Sequence, residues 1–344
     1  NYTVSEGHGS SDLDYVSTSA LALNSGSILD ASGNSASLTL ASPGAANSLG
    51  TNAALLVDGV LPTVAAVSST SNNGSYKFDD TIPITITFSE AVTVSGTPQL
   101  TLETGLSDAV VNYTSGSGGS TLTFNYTVLS GHNSSNLDYV SSSALSLYSG
   151  SIADAAGNNA TLTLVSPGAT ASLGSNKSIV IDGIVPTISI VTSTSSDGNY
   201  SVGDVIPISI LFSESVTVSG TPQLTLETGS SDAVVDYSTG SGTPTLIFNY
   251  TVASGHTSSD LDYASTSALT LNSGTVNDAA GNASILTLSS PGSVTSLGGQ
   301  KGFIIDTTPA TVSSVTSSAN NGTYKINDVI AITVAFSEVV TVSG

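Results

Sequence analysis

The sequence predicts an all-β chain arranged as a tandem array of sandwich domains, on three observations. Short runs of Val, Ile, Leu and Ala alternate with Ser and Thr, the pattern of half-buried strands. No stretch carries the 3.6-residue period of an amphipathic helix. The phrase Asn1-Tyr-Thr-Val returns at Asn125 and Asn249, so a 124-residue period runs through all 344 residues.

A solenoid unit normally spans about 20–50 residues because it is a single supersecondary motif. A period of 124 residues is domain-sized. Boundaries at the aspartate before each linker proline give complete immunoglobulin-like repeats at 58–181 and 182–305. Residues 1–57 are then the C-terminal part of one repeat, and 306–344 the N-terminal part of another. Val92–Gly105 is identical to Val216–Gly229, which points to recent duplication and makes neighbouring repeats of the same chain the first expected partners.

Within the first complete copy the strands follow from alternation and punctuation. Thr63–Ser68 reads as a short edge strand after Pro62. Ile82–Phe88 alternates apolar with small polar residues, and Pro83 suits a strand end. Gln99–Glu103, Ala109–Tyr113 and Thr121–Val128 follow, each bounded by Gly, Ser or Asp. After a loop at Asn136–Tyr139 come Ala144–Tyr148, Ala160–Leu164 and Ser178–Ile181. Seven or eight short strands in this span read as a Greek-key β-sandwich of immunoglobulin type.

Composition bounds the function. The chain lacks Cys, Met, Trp and Arg; its cations are Lys77, Lys177, Lys301 and Lys325, and 25 acidic residues leave a net charge of −21. Charged residues are 8% of the chain against 39% apolar, which separates it from a disordered acidic tail. Without cysteine, each domain is held by its core or by oxygen-bound ions. A polyanion is a poor partner for nucleic acid, and no apolar run reaches the roughly 18 residues of a membrane span, so neither is expected as a partner within this stretch.

The carboxylates recur in columns. They are Asp58, Asp182 and Asp306 at the linker; Asp80, Asp204 and Asp328 before the second strand; Glu90, Glu214 and Glu338 after it; and Asp14, Asp138 and Asp262 before a tyrosine. Asp30, Asp154 and Asp278 open a D-x-x-G-N loop that ends on Asn34, Asn158 and Asn282, and Asp12 and Asp260 complete D-x-D pairs. In every copy 28 residues separate the loop aspartate from the linker aspartate. Four lysines cannot pair with these carboxylates, which leaves hydration or a hard cation such as Ca2+ bound through six to eight oxygens. Asp and Asn are also ordinary turn residues, which supplies the alternative reading for any one column.

The phrase FSEAVTVSGTPQLTLETG at Phe88–Gly105, the LDY and DAAGN loops and the D-G-x-x-P seam resemble the bacterial immunoglobulin-like repeats of giant surface and adhesin proteins. The layout of acidic motifs is also similar to that of cadherins, whose junctions bind calcium. The resemblance implies ligands at Asp154, Asn158 and Asp182, with Asp138 or Glu90 and Glu214 contributing from a domain end. It implies a non-enzymatic extender or stalk, extracellular or on the bacterial cell surface, stiffened by calcium at its seams. The alternative is a self-assembling fibre or sheath in which other copies make lateral or strand-exchange contacts. The last seam departs from the pattern, reading DTTP with Pro309 one residue early. His8, His132 and His256 recur in a Gly-His loop; no G-x-S-x-G elbow accompanies them, and they read as loop residues.

Overall fold

The computed structural model describes residues 1–344, and the alternation becomes a set of antiparallel ladders. The chain divides into two compact units, Asn1–Ile184 and Val185–Gly344. In the first, β1 (Gly9–Ser10) pairs with β2 (Val57–Asp58), and the one-turn helix α1 (Leu49–Asn52) lies between them in the chain. The complete domain follows as β3 (Val64–Ser69), β4 (Gly74–Lys77), β5 (Thr81–Ser95), β6 (Gln99–Glu103), β7 (Ala109–Ser115) and β8 (Gly119–Thr127). It closes with β9 (Asn133–Ser134), β10 (Asp138–Tyr139), β11 (Leu145–Ser146), β12 (Ser151–Ala153), the one-turn helix α2 (Leu173–Asn176) and β13 (Ile179–Asp182).

One sheet runs in the order β10-β6-β7-β8-β5-β12, with β11 also on β6 and β3 on β5. The other is β4-β13-β9, where the last strand lies parallel to β4. Ile82, Ile84, Ile86 and Phe88 of β5, Leu122, Phe124 and Tyr126 of β8, and Ile179 and Ile181 of β13 all enter one core. Residues from both sheets therefore fill a single sandwich interior, as period-two alternation requires.

The second unit repeats the plan. Val205–Ser219 is again the long central strand, pairing with Ile188–Ser193 and Thr243–Thr251, and Phe303–Asp306 lies parallel to Gly198–Tyr200. Its own core contains Ile206, Ile208, Ile210, Phe212, Phe248 and Phe303. In the remaining residues, Val312–Ser317 and Ile332–Phe336 form a two-stranded sheet.

Several elements differ from the sequence reading. Ala160–Leu164 is not a strand: the N–H groups of Ala160, Thr161 and Leu164 donate to Ile152, Pro62 and Ser142, three separate partners instead of one ladder. The expected strand Ala144–Tyr148 shrinks to β11, whereas Asp138–Tyr139, read as loop, pairs with Glu103 and Leu102. The polar strand β4 carries no apolar alternation, and β12, which buries Ile152, is too short at three residues to show one. Each one-turn helix starts at a buried serine, Ser48, Ser172 or Ser296, whose side chain accepts from Thr51, Ser175 or Gly299 N–H. This is N-capping chemistry confined to a single turn, too short to show a helical period.

Candidate metal centre

The site is assembled where the linker meets the middle of β5. Just after Pro62, Thr63 N–H donates to Ser89 Oγ at 3.0 Å, and Ser89 N–H donates back to the Thr63 carbonyl at 2.8 Å. This reciprocal clasp holds the next residue, Glu90, against the linker. Glu90 falls where the β5–β8 register shifts between Thr87 and Val92. Beyond that irregularity, residues 93–95 of β5 pair with β12, and Asp154 follows directly. Asp58, Glu90 and Asp154 thereby come from three separate segments, and one carboxylate oxygen from each lies within 4.8 Å of the others.

The D-x-x-G-N loop then explains its own spelling. Gly157 takes φ +92°, a left-handed conformation open to glycine, which turns the chain back so that Asn158 faces Asp154. Asn158 N–H donates to Asp154 Oδ1 at 2.8 Å and its Nδ2 to Oδ2 at 2.7 Å. The same Nδ2 reaches the Asp58 carbonyl at 3.0 Å. Asn158 is thus a clamp between loop and linker, with its amide oxygen as its remaining side-chain acceptor.

The two outer carboxyls are pushed in opposite directions. Burial raises the Glu90 carboxyl above its ordinary value, and the charges of Asp58 and Asp154 add to the rise. Burial also acts against the Asp154 charge, but donation from the Asn158 side chain and N–H, with Gly157 and Ala156 N–H, outweighs it and holds that carboxyl low. Lys177 does not relieve the crowding, because its Nζ donates to the Ser71 carbonyl at 2.8 Å. Three carboxylates are hard donors of the kind calcium takes, with no thiolate or imidazole among them. A cleft of about 430 Å³ lined by Ser5, Asp58, Gly59, Ala156 and Asn158 lies alongside, room for the waters that would complete a coordination shell. The residues fit the ion.

The other columns are placed elsewhere. The LDY aspartates staple backbone: Asp138 accepts from Tyr139 and Gly168 N–H, Asp14 from Tyr15 and Gly44, and Asp262 from Tyr263, Gly292 and the Ser296 hydroxyl. Asp80, Asp204 and Asp328 close tight turns by accepting from Lys77, Ser201 and Lys325 N–H. Asp30 and Asn34 keep the clamp geometry on an exposed loop, and Asp278 and Asn282 keep it in the second unit. Asp182 ends β13, and Glu214 belongs to the long strand Val205–Ser219. Asp12, Glu338 and Asp306 are exposed; Asp306 accepts from Thr308 N–H. Burial first, and then the neighbouring charge of Asp262, raise the Asp260 carboxyl.

The tyrosines and histidines carry structure that the motif reading missed. Tyr15, Tyr139 and Tyr263 each donate a hydroxyl 26 residues ahead, to the Ala41, Val165 and Ser289 carbonyls, all at 2.7 Å. Tyr139→Phe is expected to cost about 1 kcal/mol by orphaning the Val165 carbonyl, read from the urea midpoint. His132 Nδ1 lies 3.2 Å from Leu129 N–H and 2.9 Å from the Tyr126 hydroxyl, with the rings stacked at 5.8 Å. Because an N–H points at Nδ1, we assign the ring proton to Nε2. The same Tyr–His spacing of six residues recurs at Tyr2–His8 and Tyr250–His256, a signal present in the period but read only as a loop. His132 also reaches the seam, since Gly183 N–H donates to its carbonyl at 2.7 Å.

Burial lowers the His132 pKa, so between its folded and unfolded values the unfolded chain binds more protons. Its contribution to stability is therefore complete above about pH 6.5 and is lost as pH falls through the lowered folded value. The urea midpoint is expected to drop from pH 7.5 to 5.5, and to drop less in His132→Gln.

The third seam replaces the glycine of the others by Thr307. A Cβ at Gly183 would lie 2.2 Å from the Leu129 carbonyl, so a side chain there requires a shifted loop. Thr307 Oγ1 instead donates to the His256 carbonyl at 2.8 Å and accepts from Gly255 N–H at 3.0 Å, substituting hydroxyl bonds for backbone ones.

No protein-family model matches the chain, and no curated protein matches it. Among solved structures, an I-band fragment of titin is similar at 9% sequence identity and a TM-score of 0.27, over 72% of this chain and 65% of the fragment. The chain spans less than two thirds of that fragment's length.

Proposed function

We propose that the chain is a non-enzymatic extender: tandem β-sandwich repeats of a secreted or surface-anchored bacterial adhesin, stiffened by calcium at the seams. The observation that carries this reading is the meeting of Asp58 from the linker, Glu90 from the central strand and Asp154 from the D-x-x-G-N loop. A cation there joins the segment that leaves one repeat to two segments of the next, and it neutralises charges that otherwise repel. The sequence places Asp182, Glu214 and Asp278 in the same columns one period on, which extends the reading to every seam of an array. Holding a terminal domain away from a surface needs no active site. It needs a domain that repeats and a joint that does not flex.

Calcium binding to the folded chain stabilises it by mass action, so millimolar Ca2+ is expected to raise the melting temperature and EDTA to reverse the rise. Absence of any change in melting temperature and in the maximum dimension from X-ray scattering would rule the calcium reading out. Glu90→Gln separates crowding from coordination. It is expected to raise the melting temperature of the metal-free protein, because one like charge disappears, while blunting the calcium-induced rise. A merely hydrated acidic cluster would show the first effect and no calcium response in either protein.

A further inference from the structure

In both complete domains the sheet is open along one seam. In the first unit, β7 and β8 pair only at Tyr113↔Phe124 and Ser115↔Thr123, across a bulge at Thr114. From there they diverge: residues 109–112 continue on β6, and residues 125–127 continue on β5. A slot of about 440 Å³ lies between the two facing edges, and the second unit has its counterpart, of about 620 Å³, between Ala233–Asp236 and Asn249–Thr251.

Parity shows that these edges present backbone. Tyr113 N–H donates to the Pro98 carbonyl, so in β7 the odd residues face β6 and the backbone of Val110 and Asn112 faces the slot. Val128 N–H donates to the Asp80 carbonyl, so in β8 the even residues face β5 and the backbone of Asn125 and Thr127 faces the slot, with Asn125 N–H already donating to Thr114 Oγ1 at 3.3 Å at the slot's inner end. Tyr237 to Pro222 and Val252 to Asp204 set the same parity in the second unit, leaving Val234, Asp236, Asn249 and Thr251 turned inward. Neighbouring strands sit about 4.8 Å apart, and two edges that turn backbone toward each other without pairing can take one extended segment between them.

Charge decides the occupant. Asp108 lies at the first slot, and Asp232 and Asp236 at the second, where Asp236 also accepts from Gln223 Nε2 at 2.8 Å. With a net charge of −21 and four lysines, a second copy of this chain is a poor ligand for an acidic slot. We propose that the β7–β8 slot, and its counterpart in the second unit, is a strand-addition site for an extended cationic peptide of a partner protein. The aspartates serve both ends, repelling self-association at an open edge and selecting lysine-bearing strands.

The test uses the full chain and a fluorescein-labelled Lys-Val-Lys-Val-Lys-Val-Lys peptide, with its Glu-Val counterpart as control, followed by anisotropy. Saturable binding of the lysine peptide that weakens with salt, with no binding of the glutamate peptide, is expected. Val110→Pro with Val234→Pro removes one slot-facing N–H per domain without touching the paired side and is expected to weaken binding at least tenfold. Should that variant fail to fold, Asp232→Lys with Asp236→Lys decides, since it is expected to lose the lysine peptide at the second slot and gain the glutamate peptide. No saturable binding, or binding indifferent to these variants, overturns the proposal. Dimers in sedimentation velocity without peptide, abolished by the proline pair, would overturn it in favour of a second copy as occupant.

Discussion

Asp154→Ala is expected to destabilise the first unit by roughly 2–4 kcal/mol and to remove its calcium response in the same step. Asp154 is 6% exposed and accepts from both the N–H and the Nδ2 of Asn158, bonds to a charged acceptor that are worth more than neutral ones. Truncation orphans both donors and frees the amide that holds the Asp58 carbonyl, so loop and linker part together. Because its folded pKa is lowered, the contribution of Asp154 is present above about pH 4 and is lost as the pH falls through the lowered value. Glu90, pushed the other way, takes up a proton first on acidification, so proton and metal compete at that carboxylate. Urea unfolding of the variant at pH 7 and pH 3, with and without calcium, checks each part. A variant that unfolds like the parent at pH 7 would show that the clamp contributes nothing.

Phe124→Ala is expected to have the largest effect in the chain, about 3–5 kcal/mol from lost transfer energy and the cavity left behind. Phe124 is fully buried at the centre of β8 and meets Tyr113 edge-on at a centroid distance of 6.0 Å. Each unit has its own core, so calorimetry of the variant is expected to show one transition moved to much lower temperature and a second unmoved. A single transition displaced as a whole would mean that the two cores melt together. The same ring stands at the point where β7 and β8 part, so its loss also frays the inner end of the slot.

The central strands were legible because burial on one face imposes a strict period of two. Ile82, Ile84, Ile86 and Phe88 obey it and are all buried. Leu164 is buried too, but its segment bonds to three different partners, and alternation cannot distinguish a ladder from isolated bonds. The candidate site was legible in its residue types and columns but not in its membership. Asp58, Glu90 and Asp154 look no different in sequence from Asp80 and Asp138, which bind backbone N–H groups elsewhere in the domain. What separates them is the Thr63–Ser89 clasp and the register shift in β5, long-range facts with no local spelling. The resemblance implies Asn158 as a ligand, and the structure adds a clamp that no motif spells, its Nδ2 joining Asp154 to the Asp58 carbonyl.

The parallel pairing of β4 with β13 carries a mechanical consequence. Ile179 to Asp182 lie beside Gly74 to Lys77, strands near the entry and the exit of one domain, running in the same direction. Tension applied across the domain pulls them along their own axes in opposite senses, so their hydrogen bonds are loaded together in shear and must break at once. An antiparallel closing pair would peel one bond at a time at far lower force. A tether anchored at one end and held at the other would draw its resistance to flow from this parallel pairing, four residue pairs in the first complete domain and three in the second.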